Sequence, residues 1–374
     1  MMLKFFEYSE FIDNERFWAI KPFDLERINL FTAKNATGKT RTLRAIDWLS
    51  TLILDKGFKS HANYTVEFMD DYEKYHYSLQ IKNMQVISEK LMSNNNLLLL
   101  REESGRGEIY TTQLGKNIEF QLPENKLAIS RRDKLQYPYL EKLHKWAKNF
   151  HLYSFGSSMN QEYGKQMIEK DALLDGNSDI PVEVFIIGNI EFAKKFRMTV
   201  LSSMCKIGYD LLDIDAERWL YLSKNIQSEH YTLFITEKDI KSLILQKDIS
   251  QGMFRALSII IHLTYHAMMK IPTTILIDDI GEGLDFDRST KLIKLLIELA
   301  EKNDNIQLIM STNDRYVMNN VPFKYWQLID RKEGECKVYN YQNSKEKFDE
   351  FKYTGLNNFD FLATDFINAK WEQK

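Results

Sequence analysis

The residues Ala33-Lys34-Asn35-Ala36-Thr37-Gly38-Lys39-Thr40 follow the spacing G-x-x-x-x-G-K-[ST], with alanine at the first position. That spacing serves phosphate binding. Backbone N–H groups of the loop wrap the oxygens, the lysine reaches the outer phosphates, and the last hydroxyl meets Mg2+. Asn35, Ala36, Thr37, Gly38, Lys39, Thr40 and Arg41 are the candidate phosphate-binding residues. A chance turn is the competing reading; the position between an apolar run and a helical pattern argues against it. A second group closes the run Ile275-Leu276-Ile277-Asp278-Asp279. A buried strand ending in an acid puts a carboxylate beside such a loop, where it can hold Mg2+ or its water. The acid that follows can orient or deprotonate an attacking water. A solvated Asp-Asp turn is the plain alternative. The third group is Ser250-Gln251-Gly252, at the start of a helical pattern. Free N–H groups there make a second anion cradle, although serine also serves as an ordinary N-cap.

These groups need elements that hold them. Ile28–Thr32 is a compact apolar run suited to a buried strand, and it feeds directly into the phosphate loop. Leu43, Ile46, Trp48, Leu49, Leu52 and Ile53 then recur at helical spacing, with Gly57 as a stop. From 63 to 130 the pattern alternates with period two between polar turns, which predicts an antiparallel meander. A helix is expected over 139–150, and helical spacing returns at Phe192, Phe196, Val200, Met204 and Ile207. A helix over 251–269, a strand over 273–277, a helix near 288–302 and a strand over 306–310 complete the pattern. The fold class is therefore α/β. Residues 1–159 and 224–374 are expected to form one head with the 63–130 lobe, and 160–223 an inserted helical lid.

Composition narrows the functional classes. Among 374 residues, 44% are hydrophobic and 28% charged, enough apolar surface for a large core. A formal net charge of -3 gives no overall attraction to nucleic acid or to an anionic membrane. Cys205 and Cys336 suggest no disulfide framework and fit a reducing compartment. No leader pattern and no long uncharged apolar stretch are visible, so a cytoplasmic protein is expected. His262 and His266 stand four apart, but Leu263 occupies the place where a zinc-protease helix needs glutamate, so they read as ordinary helix residues. Lys142, Lys145 and Lys148, with Arg131 and Arg132, read as a solvated face, or alternatively as a nucleic-acid contact.

The order of the groups is more specific than any one of them. Phosphate loop, Ser-x-Gly helix start, Asp-Asp strand, then Gly281-Glu282-Gly283-Leu284-Asp285, then Gln307–Asn313 follow in one succession. This arrangement resembles the ABC ATPases, in the branch that holds the SMC, RecF and OLD proteins. The resemblance implies a P-loop head with a mixed sheet that binds ATP and Mg2+ and dimerises around nucleotide. By position, Lys39 grips the outer phosphates, and Thr40 with Asp278 holds Mg2+. Ser250, Gln251 and Gly252 form the signature that meets ATP on the opposite subunit, and Asp285 lies at the dimer seam. Asp279 stands where the family usually has the glutamate that polarises water, and Asn313 where many members carry a switch histidine. Gln136 is the candidate for the family's Q-loop glutamine.

Ala33 and Ala36 replace glycines of the usual loop, Asp279 is one methylene short of glutamate, and Asn313 takes up no proton near neutral pH. Slow turnover is the expectation. About 60 residues follow the switch strand, too few for the Toprim nuclease domain of OLD proteins. The resemblance then implies an ATP-dependent homodimer that regulates a separate effector protein, with bacterial anti-phage defence as a setting. A RecF-type ATP-gated DNA clamp and a non-hydrolysing nucleotide sensor are the alternatives.

Overall fold

The computed structural model describes residues 1–154, 180–223, 226–240 and 242–369. Three buried strands carry the candidate site: β3 (Ile28–Thr32), β14 (Thr273–Asp278) and β15 (Ile306–Ser311). Each is buried along its whole length, which is why apolar residues dominate each of them. They lie parallel in the order β14-β15-β3, flanked by β10 (Phe150–Ser154) on one side and β16 (Trp326–Lys332) on the other.

Beyond β16 the sheet turns antiparallel through β17 (Glu335–Asn340), which runs parallel to β2 (Trp18–Asp24). β1 (Met2–Glu10) then joins the meander β4 (Ala62–Asp70), β5 (Glu73–Lys82), β6 (Gln85–Ser93), β7 (Asn96–Glu102), β8 (Arg106–Thr111) and β9 (Lys116–Gln121). Together these strands form one 14-stranded mixed sheet. The period-two reading of 63–130 thus corresponds to this meander, in which β4 buries every second residue over most of its length. The fold class is mixed α/β.

Helices cover both faces of the parallel block. The helix Lys39–Ile53 and the helix Pro138–Lys148 pack with the antiparallel lobe into one hydrophobic core. On the other face, the helices Gln251–Met269 and Phe286–Lys302 form a second core with Pro181–Phe192 and Lys194–Lys206. No helix among the described residues is long and apolar enough to cross a membrane.

Three expectations need correction. The helix expected over 139–150 ends at Lys148, and Phe150 begins β10, an edge strand too short for periodicity to reveal. The 160–223 segment is not helical throughout. Residues 155–179 lie outside the described residues, and β11 (Leu211–Ser223) is a strand paired with β12 (Ile226–Glu237) and, through it, with β13 (Leu243–Leu245). The hairpin therefore straddles the expected boundary at 223. Its signal is alternation: Ile214 is buried, while Asp213 and Asp215 face Arg197 in ion pairs.

His262 and His266 are buried beside His151, the His151 and His266 rings lying 4.8 Å apart. His262 Nδ1 donates to Ser258 O at 2.9 Å. Burial first, then the two neighbouring imidazoles, holds His266 well below the ordinary histidine range. A ring kept neutral in the fold but free to protonate when unfolded makes stability fall as pH drops below about 6.5. Between pH 7.5 and 5.5 this contribution is on the order of 1 kcal/mol. Urea midpoints at both pH values should show it in the wild type, and His266→Leu should have a shallower pH dependence whatever its absolute stability.

Candidate active site

The phosphate loop leaves the end of β3 and turns into the helix that starts at Lys39. Two residues carry the bend, Ala36 at φ 63° and Gly38 at φ 107°. A side chain at Gly38 would be strained, and its Cβ would lie 3.3 Å from Trp18 Nε1. Among the described residues, no protein acceptor meets the backbone N–H groups of residues 35–41. That is the cradle an anion needs. Lys39 is buried, and its ammonium donates to Ala33 O at 2.9 Å and Lys34 O at 3.5 Å. Burial lowers its pKa, while the nearby Asp279 and Asp278 carboxylates pull it back up. Asn35 is exposed, Thr37 donates to Lys34 O, and the Arg41 guanidinium is held by Glu10 over the Trp18 ring.

The ends of β14 and β15 complete the group. Thr40 Oγ1 donates to Asp278 Oδ1 at 3.4 Å, and Ser311 Oγ donates to the same oxygen at 2.5 Å. Ser311 in turn accepts the Asp279 N–H at 2.9 Å. Asn313 Nδ2 donates to Asp279 Oδ1 at 3.2 Å. Asp279 itself stands at φ 56°, in the left-handed region just past the end of β14. Burial raises its pKa, with the Asp278 and Glu282 charges adding to the rise and Lys39 opposing it. Thr40 and Asp278 bring a hydroxyl and a carboxylate oxygen to one point, the donor chemistry of a hard divalent cation, so the residues fit Mg2+. Lys39, Thr40, Asp278, Asp279 and Asn313 therefore come together. Ser311 joins this group, and its signal in sequence is only a polar residue closing the largely apolar run Ile306–Met310.

The second candidate cradle lies at the start of the helix Gln251–Met269. Ser250 caps its helix by accepting from Met253 N at 3.4 Å, which satisfies the ordinary capping role while Ser250 and Gln251 stay exposed. Gly252 is needed for close packing, because a Cβ there would lie 2.6 Å from Gly283 O. Arg255 Nη1 donates to Glu282 O at 3.0 Å, fastening this helix to the 281–285 loop. Asp285 is exposed and caps the helix Phe286–Lys302, where the Arg288 N–H and side chain lower its pKa. Among the described residues, no hydrogen bond or ion pair joins Ser250, Gln251 or Gly252 to residues 33–41.

Gln136 is not brought to this group. Its Nε2 donates to Gln113 at 3.0 Å and its carbonyl accepts from Thr112 N, which ties it to the antiparallel lobe. The strand that ends beside Asp278 is β10, at Ser154. The basic stripe is partly neutralised: Lys142 meets Asp70 and Glu73, and Arg132 meets Glu141.

No protein-family model and no curated protein match the chain. Solved structures do. A crystal structure of an Smc head bound to the C-winged helix domain of ScpA matches 92% of this chain and 99% of its own, with TM-score 0.55 and 13% identity. An Smc head domain with an extended coiled coil, bound to the C-terminal domain of ScpA derived from Pyrococcus furiosus, matches 94% and 100%, with TM-score 0.51 and 11% identity. With its mixed sheet, its phosphate loop after β3 and its acids after β14, the chain has the fold of an SMC head.

Proposed function

We propose that the chain is a Mg2+-dependent ATPase head that works as a nucleotide-sandwiched homodimer and passes its nucleotide state to a separate effector protein. One observation carries this reading. Lys39, Thr40, Asp278, Asp279 and Asn313 converge at the ends of adjacent parallel strands, while the Ser250–Gly252 cradle sits elsewhere on the same chain, fastened to the 281–285 loop. A single chain thus offers two halves of a site, and two chains related by a twofold axis complete both at once.

Mg2+ bound by Thr40 and Asp278 would neutralise charge on the outer phosphates. The loop N–H groups and Lys39 hold those phosphates in place. Asp279, half-buried, is the group placed to orient water and take its proton. Its short side chain and its hydrogen bond to Asn313 favour slow turnover. The signature of one chain closes on nucleotide held by the other, so the nucleotide state becomes a change in how two heads are joined. That each of the two neighbouring heads is bound to a ScpA domain supports a separate protein as the reader of that change.

Equilibrium binding of a fluorescent ATP analogue with Mg2+ tests the reading. The wild type should bind, and Lys39→Ala should bind roughly 10- to 100-fold more weakly, the effect of losing one charge-assisted contact. A wild type that binds no nucleotide removes the proposal.

A further inference from the structure

The phosphate loop has an unusual problem, because Ala36 adopts φ 63°, a left-handed conformation that a Cβ penalises. The hairpin β16–β17, from the far end of the chain, lies directly against it. β16 pairs with β3 as far as Thr32, the last residue before the loop, and β17 pairs with β2, whose Trp18 lies under Gly38. Two donors from this hairpin reach consecutive loop carbonyls. Arg331 Nη1 donates to Ala36 O at 3.2 Å, and Cys336 Sγ donates to Thr37 O at 3.2 Å. Arg331 is itself anchored, its Nε donating to Glu333 O at 2.7 Å in the hairpin turn. Cys336 is buried, and burial pushes its thiol up, so it keeps the proton it donates.

We infer that Arg331 and Cys336 are positioning residues for the phosphate loop, holding the Ala36 and Thr37 carbonyls outward so that the N–H groups stay turned into the cradle despite alanine at position 36. A peptide group is rigid, so fixing its carbonyl also fixes the direction of the next N–H. Arg331 fixes the N–H of Thr37 in this way, and Cys336 that of Gly38. The hairpin thereby supplies from outside the loop the conformational tolerance that a glycine at 36 would supply from within. This inference rests on the nucleotide reading of the site.

The test is a double-mutant cycle read by binding of a non-hydrolysable fluorescent ATP analogue with Mg2+, on the full chain. Arg331 is exposed, so Arg331→Ala should leave the melting midpoint nearly unchanged while weakening binding about ten-fold. Cys336→Ala should weaken it less, roughly three-fold. In an Ala36→Gly background, adding Arg331→Ala should weaken binding by less than about three-fold, because glycine reaches φ 63° without a Cβ penalty. Binding by Arg331→Ala within about two-fold of wild type overturns the inference. So does an equal loss in both backgrounds, which would mean that Arg331 acts on phosphate directly and not through the loop. Failure of the wild type to bind the analogue strikes the nucleotide reading instead.

Discussion

Mixed one to one, Lys39→Ala and Ser250→Arg are expected to regain ATP turnover that neither variant has alone. Lys39→Ala loses the phosphate grip in both sites of its own dimer, and Ser250→Arg blocks both signature cradles in its own. In a mixed dimer, one site joins the intact phosphate loop of the Ser250→Arg chain to the intact signature of the Lys39→Ala chain. The other site carries both defects. Random exchange makes half of the dimers mixed, each with one working site of two, so about a quarter of wild-type activity should return. Folding should survive both changes. Ser250 is exposed, and losing its cap costs about 1 kcal/mol. A mixture as inactive as its components would mean that Ser250 does not serve a neighbouring chain, and the sandwich would have to be abandoned.

The second large effect concerns Asp279. Replacing it with asparagine keeps its size and its neighbour Asn313 but removes the charge that draws a proton from water. Turnover should fall about 10²- to 10⁴-fold, while binding of the ATP analogue stays within a few-fold of wild type. Asp279→Asn turning over at the wild-type rate would assign the water to another group.

Much of the architecture was legible because burial writes itself into composition. β3, β14 and β15 are covered on both faces, so each is a run of apolar residues with a polar or acidic residue at its functional end. The meander buries one face, and its residues alternate. The helix Gln251–Met269 matches the expected 251–269 because a serine cap and a long apolar pattern mark its start and its length. The failures have equally physical causes. β10 is too short to show a period, and β11 has its partner strand past the expected boundary at 223. Gln136 has the expected position before a helix, but position along the chain does not reveal which strand ends beside Asp278.

The candidate residues for phosphate and acid chemistry are legible in the chain's own order, since loop glycine, lysine, hydroxyl and paired acids are demanded by local geometry and charge. What holds them is visible only once the chain is folded. Ser311 bridges Asp278 and Asp279, Asn313 reaches Asp279, and Arg331 and Cys336 brace the loop from about 295 residues away. That no hydrogen bond or ion pair joins Ser250–Gly252 to the phosphate loop among the described residues is likewise visible only in three dimensions. Such contacts leave no period or motif, because each depends on a single side chain meeting one atom across the sheet, and any residue type able to donate there would read the same in sequence.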